Sequence, residues 1–138
     1  MSRSAIVIGG GIAGMQTALN LANQGVHVSL IEKSASIGGN MPRLDKTFPT
    51  LDCAMCILSP FMVDSARHPN IDIITLAEVT KVENVNGGYK VNVVQQPRYI
   101  DLTKCTGCGV CESKCPKKLP SEFNGGLGTR KAIYFQFP

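Results

Sequence analysis

Apolar residues along the first third of the chain fall into two spacings. Ala5-Ile-Val-Ile8 is an uninterrupted run ending at a glycine cluster, and beyond it Ile12, Met15, Leu19 and Ala22 recur every three or four positions. The first reads as a buried strand and the second as a helix with one apolar face, closed at Gly25. Val26 to Ile31 returns to a β-rich run and stops at Glu32. Strand, helix and strand in that order predict a βαβ unit with a right-handed crossover.

The pattern weakens from Ser34 to Pro60, where Gly38, Gly39, Pro42, Pro49 and Pro60 interrupt any long element. This predicts an ordered loop, too apolar to be a free linker. One or two helical turns are expected from Phe61 to Arg67, then a turn at His68-Pro69-Asn70 and a buried strand from Ile71 to Leu76. Val79 to Val85 and Tyr89 to Val94 flank Asn86-Gly87-Gly88, a hairpin signal. From Pro97 onward periodicity gives way to Cys, Lys, Gly and Pro, which sets a boundary near residues 96 to 100.

Composition adds limits to this outline. With 138 residues, 43% of them hydrophobic and 17% charged, the chain suffices for one ordinary core and a small appendage. Its net charge of +4 is scattered, Lys117-Lys118 and Arg130-Lys131 being the only adjacent basic pairs in the second half. That distribution excludes a nucleic-acid stripe. The apolar start is broken by three consecutive glycines, so it is too short to span a bilayer and has no cleavage-type sequel. A cytoplasmic protein without a membrane span is expected. In that setting six cysteines, four of them clustered, favour metal or redox chemistry over a disulfide framework.

Two motifs carry the chemistry. Gly9-Gly-Gly11-Ile-Ala-Gly14 is a G-x-G-x-x-G between a predicted strand and a predicted helix. There glycines permit a tight turn, close approach of backbone N–H groups to a pyrophosphate, and close helix-strand packing. Glu32, ending the second strand, stands where an acidic residue bonds a ribose hydroxyl. The sequel, Glu32-Lys33 and then Gly38-Gly39, resembles the flavoprotein pattern, as does the hairpin containing Val79. FAD is therefore preferred, with NAD as the alternative. Candidate contacts are Gly9, Gly11, Ile12, Ala13, Gly14, Glu32, Lys33, Gly38, Gly39 and Val79.

Cys105-x2-Cys108-x2-Cys111-x3-Cys115-Pro116 has the spacing of bacterial-type ferredoxins, in which the fourth cysteine of a two-cluster protein serves the other cluster. Zinc sites instead pair C-x2-C knuckles far apart. The four cysteines are the candidate ligands of a 4Fe-4S cluster, with Cys115 reaching for a second. Cys53-Ala-Met-Cys56 is left open between cluster ligands and packed thiols, with a redox dithiol ranked behind them. His27, in a strand, and His68, in a turn, are given no role.

The segments "VIGGGIAGMQTAL", "KTFPTLDCAMCILSP", "RHPNI", "PRYIDLTKCTGCGVCESKCP" and "GLGTRKAIY" together resemble the A subunit of heterodisulfide reductase, an iron–sulfur flavoprotein family of methanogens and of related bacterial electron-transfer complexes. The resemblance implies an α/β fold: a partial, thioredoxin-reductase-like Rossmann domain for FAD over residues 1–96, with its hairpin, and an incomplete ferredoxin-like 4Fe-4S module over 97–138. It implies an oxidoreductase part in which FAD exchanges electrons with the cluster. The implied partners are the other heterodisulfide reductase-like subunits and an electron donor or ferredoxin. Because the family's remaining flavin domain and second cysteine run are not in this sequence, the alternative is a truncated or split-gene fragment that acts by docking on partner subunits, without activity alone.

Overall fold

The computed structural model describes residues 3–136. Residues up to Pro97 form one unit and those from Arg98 a second.

In the first unit, β1 (Ser4–Ile8), α1 (Ile12–Asn23) and β2 (His27–Ile31) make the expected parallel βαβ. A second crossover, α2 (Ala54–Arg67), leads to β3 (Ile71–Ile74), which pairs in parallel with β2 to give the order β1-β2-β3. The apolar stripe read from the sequence is the buried face of α1: Met15, Ala18, Leu19 and Ala22 pack with Val28, Leu30, Ile37, Leu58 and Ile71. Burying the Met, Leu, Val and Ile side chains among them contributes roughly 1.5–3 kcal/mol each. This core fixes the C-terminal ends of the strands, where the glycine loop lies.

The stretch read as loop up to Pro60 is corrected by α2, which starts at Ala54 and runs through Pro60. Proline removes one N–H and crowds the preceding turn. The helix nevertheless persists because Ala54, Leu58 and Ser65 are buried along one face and Met55, Phe61 and Met62 pack against the core. Tertiary burial here outweighs local propensity, and Pro60 itself is left on the exposed side. Only Met41–Arg43 makes a 3₁₀ turn in the preceding segment.

The hairpin forms where Asn86-Gly87 predicts it. β4 (Ala77–Val85) pairs antiparallel with β5 (Gly88–Gln95), with a register shift between Val79 and Lys81.

The second unit is built of short pieces. A helix, α3 (Val110–Lys114), is followed by β6 (Lys118–Pro120), a 3₁₀ turn over Glu122–Asn124, and β7 (Thr129–Lys131), antiparallel to β6. Arg130 secures this hairpin: its Nε and Nη2 donate to both carboxylate oxygens of Glu122 at 2.6 and 2.8 Å, and its guanidinium lies 3.9 Å from the ring centroid of Tyr134. The Gly125-Gly126 stretch connects that 3₁₀ turn to β7. Among the described residues no helix is long and apolar enough to cross a membrane.

Candidate functional site

The glycine loop closes on the end of β2. Gly9 donates its N–H to the Ile31 carbonyl at 2.8 Å and takes φ +101, a turn that side-chain-bearing residues rarely make. Gly10 donates to Glu32 Oε2 at 2.6 Å, and its carbonyl accepts the Gly38 N–H at 2.7 Å. A Cβ on Gly39 would come 3.0 Å from Gly11 Cα. Gly9, Gly10, Gly11, Glu32, Gly38 and Gly39 are thus gathered at one spot.

The glycines do different work. A Cβ on Gly14 would lie 1.8 Å from the Gly9 carbonyl oxygen, so close packing of helix on turn forbids one there. At Gly11 the nearest protein atom to an added Cβ would be Gly39 Cα at 4.0 Å, and φ is −73°. Nothing in the protein requires glycine at Gly11. It is the N-cap of α1, so the N–H groups of Ile12, Ala13 and Gly14 open the helix beside it, in the disposition that receives phosphate. The first turn of α1 holds no acidic side chain to repel an anion.

Glu32 is 9% exposed. Burial pushes its carboxyl up, but the Ser34 hydroxyl and the N–H groups of Ser34 and Gly10 together outweigh burial and hold it below the ordinary carboxylate range. Ser34 N donates to Oε1 at 2.7 Å and the Ser34 hydroxyl binds the same oxygen. Sequence reading missed Gly10 and Ser34; the only signals were their places inside the motif and two residues after Glu32. Lys33 points outward and pairs with Glu78 at 2.9 Å. Val79 lies in β4, two residues past Ala77, whose N–H reaches the Glu32 carbonyl at 2.9 Å.

Glu32 thereby satisfies the buried Gly10 N–H. Replacing Glu32 by alanine leaves a buried N–H without its acceptor, a loss of about 1–3 kcal/mol. Because the folded carboxyl sits below its unfolded value of about 4.3, the stabilisation is complete above that value and is lost as pH falls through the folded one. Urea unfolding should show Glu32→Ala less stable at pH 7 and the difference from the unaltered chain shrinking towards acid; an undiminished gap would contradict it.

In the second unit the Asp101 carboxylate accepts from Thr103 N at 3.0 Å and from its hydroxyl at 2.7 Å, and its carbonyl accepts from Cys105 N at 3.0 Å. That turn presents Cys105. Gly109 at φ +74 caps α3, setting Cys108 before the helix and Cys111 on it, and Cys115 follows as the C-cap. Cys105, Cys108 and Cys111 are exposed free thiols and Cys115 is half-buried. The Val110 N–H lowers the Cys108 thiol, helped by the Thr106 hydroxyl, and the N–H groups of Ile133 and then Lys117 lower that of Cys115. Lys131 Nζ donates to the Cys115 carbonyl at 2.8 Å. Among the described residues no three Cys, His, Asp or Glu side chains converge as a metal site, so the run is aligned along the backbone without its sulfurs being gathered.

Cys53 and Cys56, left open by the sequence, are joined as a disulfide.

Residues 7–69 match the family model of an NAD(P)-binding Rossmann-like domain and residues 98–118 that of a 4Fe-4S binding domain. Fold and matches together define a Rossmann-type dinucleotide-binding unit followed by a 4Fe-4S-type module, in line with the dinucleotide and cluster expected from the sequence. The chain is 56% identical over all its 138 residues to an iron-sulfur A subunit of the CoB–CoM heterodisulfide reductase of Methanopyrus kandleri, and 54% identical over 138 residues to the A subunit of the H2/formate:CoB–CoM heterodisulfide,ferredoxin reductase of Methanococcus maripaludis. It spans 21% of each of these relatives. It belongs to the family of heterodisulfide reductase A subunits. Among solved structures, L-proline dehydrogenase from P. horikoshii superposes with a TM-score of 0.57 at 25% identity, over 69% of this chain and 20% of that one.

Proposed function

We propose that the chain is the FAD- and cluster-binding part of a heterodisulfide reductase-like oxidoreductase, in which FAD exchanges electrons with a 4Fe-4S cluster. The observation that carries the reading is Gly11: a glycine that the protein's own packing does not need, beside an open helix N-terminus and facing Gly39. A Cβ there would fill the space a pyrophosphate takes.

Gly9, Gly11, Ile12, Ala13 and Gly14 would hold the pyrophosphate through backbone N–H groups. Glu32 would take the ribose hydroxyls on lone pairs left beside its existing bonds, and Gly38, Gly39, Lys33 and Val79 would line the adenosine side. FAD is favoured over NAD because the Gly38-Gly39 pair is tied to Gly10. Cys105, Cys108, Cys111 and Cys115 would ligate iron, and the N–H groups that lower Cys108 and Cys115 suit thiolate ligands. When bound, FAD supplies two-electron and one-electron chemistry and the cluster supplies one-electron relay. The chain's own residues bind, orient and hold charge.

The relatives are named as A subunits, which supports assembly with further subunits and with an electron donor or ferredoxin; a cytoplasmic setting follows for chemistry that needs reduced thiols. A second reading, a fragment working only when docked on those subunits, is favoured by the one-fifth coverage of the relatives. Anaerobic reconstitution with iron, sulfide and FAD, followed by absorption spectra, iron counting and flavin counting after desalting, tests the first reading. Retention of both groups supports it, and loss of both supports the second.

A further inference from the structure

We propose that Cys53 and Cys56 form a reducible redox disulfide, a two-electron thiol site separate from the dinucleotide loop and the ferredoxin-type run. Both residues are solvent-exposed and their sulfurs are bonded across a separation of three residues. They occupy the N-cap and first turn of α2, a helix of 14 residues. Cys53 Sγ accepts the Cys56 N–H at 3.2 Å.

A structural role explains this pair poorly. Closing so short a loop removes little chain entropy from the unfolded state, so the bond is a weak staple. Nor do the sulfurs fill the core, because Ala54 and Leu58 supply the buried face of this end of α2. The preceding segment is already pinned without the sulfurs: Lys46 bridges Cys53, Thr47 N donates to the Asp52 carbonyl at 2.9 Å, and Ala54 N donates to the Asp45 carbonyl at 3.1 Å. Opening the S–S bond therefore leaves the backbone held, as a reversible couple requires.

The surroundings also divide the labour between the two sulfurs. A thiolate at Cys53 is stabilised by the N–H it already accepts and by the helix N-terminus, and a stabilised thiolate is the better leaving group. The co-reactant is a dithiol, either small or on a partner protein. Its thiolate attacks Cys56 Sγ, forming a mixed disulfide as the bond to Cys53 breaks and Cys53 departs as thiolate. The donor's second thiol then attacks its own sulfur in that mixed bond and releases Cys56. Two electrons and the donor's two protons end on the Cys53–Cys56 pair, and the donor leaves as a disulfide.

The test equilibrates the purified chain in anaerobic dithiothreitol buffers of defined reduced-to-oxidised ratio, then quenches with acid, labels free thiols with a maleimide and digests with trypsin. Residues 47–67 are bounded by Lys46 and Arg67 and contain no other cysteine, so the pair is read apart from the ferredoxin-type run. Doubly labelled peptide should rise from under a tenth to over nine-tenths across a roughly hundredfold change in ratio, with little singly labelled species. A peptide fully labelled in every buffer, or labelled only after denaturation, overturns the proposal. So does protection of the reduced pair upon iron and sulfide loading, which would make the thiols metal ligands. In single variants, Cys53 of Cys56→Ser should react with iodoacetamide about tenfold faster at pH 7 than Cys56 of Cys53→Ser; equal or inverted rates overturn the assignment of the leaving thiolate.

Discussion

Gly14→Ala is expected to destabilise the first unit, whereas Gly11→Ala is expected to leave it folded and weaken its FAD binding. The two glycines belong to one motif, yet their surroundings differ. At Gly14 the added Cβ would stand 1.8 Å from the Gly9 carbonyl oxygen and 3.0 Å from its carbon. The obstacle is backbone, so no rotamer change relieves it. Helix propensity favours alanine by about 1 kcal/mol, but pushing α1 off the turn costs about 3 kcal/mol or more. The clash wins, and about 2 kcal/mol net lowers the melting temperature by roughly 10 °C in a unit of this size.

At Gly11 no protein atom obstructs the new methyl group, so the fold should lose under about 1 kcal/mol, mostly from a poorer N-cap. The methyl would instead occupy the approach to the N–H groups that open α1, and FAD affinity should fall at least about tenfold, or about 1.4 kcal/mol. Thermal unfolding followed by circular dichroism and FAD titration followed by flavin fluorescence separate the two effects. Unchanged FAD affinity in Gly11→Ala would remove the glycine loop from the binding site. An unchanged melting temperature in Gly14→Ala would contradict the packing account.

These contrasts bear on what the sequence makes legible. Periodicity disclosed β1, α1 and β2 because their apolar spacing is set by one local geometry each, and Asn86-Gly87 disclosed the hairpin because a two-residue turn needs those residues. The first half of α2 was hidden by Pro60, since the burial of Ala54 and Leu58 that sustains it depends on α1 and the sheet. The partners of Glu32 were hidden for the same reason: Gly10 reaches it only after the chain has traversed α1 and β2. Likewise β6 and β7, three residues each, are too short for any period, and the pairing of Arg130 with Glu122 and Tyr134 exists only in space. The Cys53-x-x-Cys56 spacing was visible, but whether it meant metal, packing or a disulfide rested on its exposure and its place at the head of a helix.

Cys108→Ala is expected to remove nearly all the iron that the unaltered chain takes up on reconstitution, while Cys115→Ala retains a substantial part. Cys108 lies between Gly107 and Gly109, at φ +70 and +74, where the turning backbone directs the Val110 N–H to its sulfur. Such bonds stabilise thiolate and, with it, thiolate bound to iron. Changing even an outer-shell partner of a metal typically costs 10–100-fold in affinity, so deleting the ligand should cost at least that. Cys115 stands apart, beyond α3 as its C-cap, half-buried, with its carbonyl held by Lys131 and its thiol lowered by the Ile133 N–H from the β7 side. A sulfur anchored to that hairpin suits a different cluster from the one served by Cys105, Cys108 and Cys111. Iron counting after anaerobic reconstitution and desalting decides the matter: iron in Cys115→Ala within about threefold of the unaltered chain, against at least a tenfold loss in Cys108→Ala, is the expected result. Equal loss in both variants would make Cys115 the fourth ligand of the same cluster, and equal retention would take the cysteine run out of iron binding altogether.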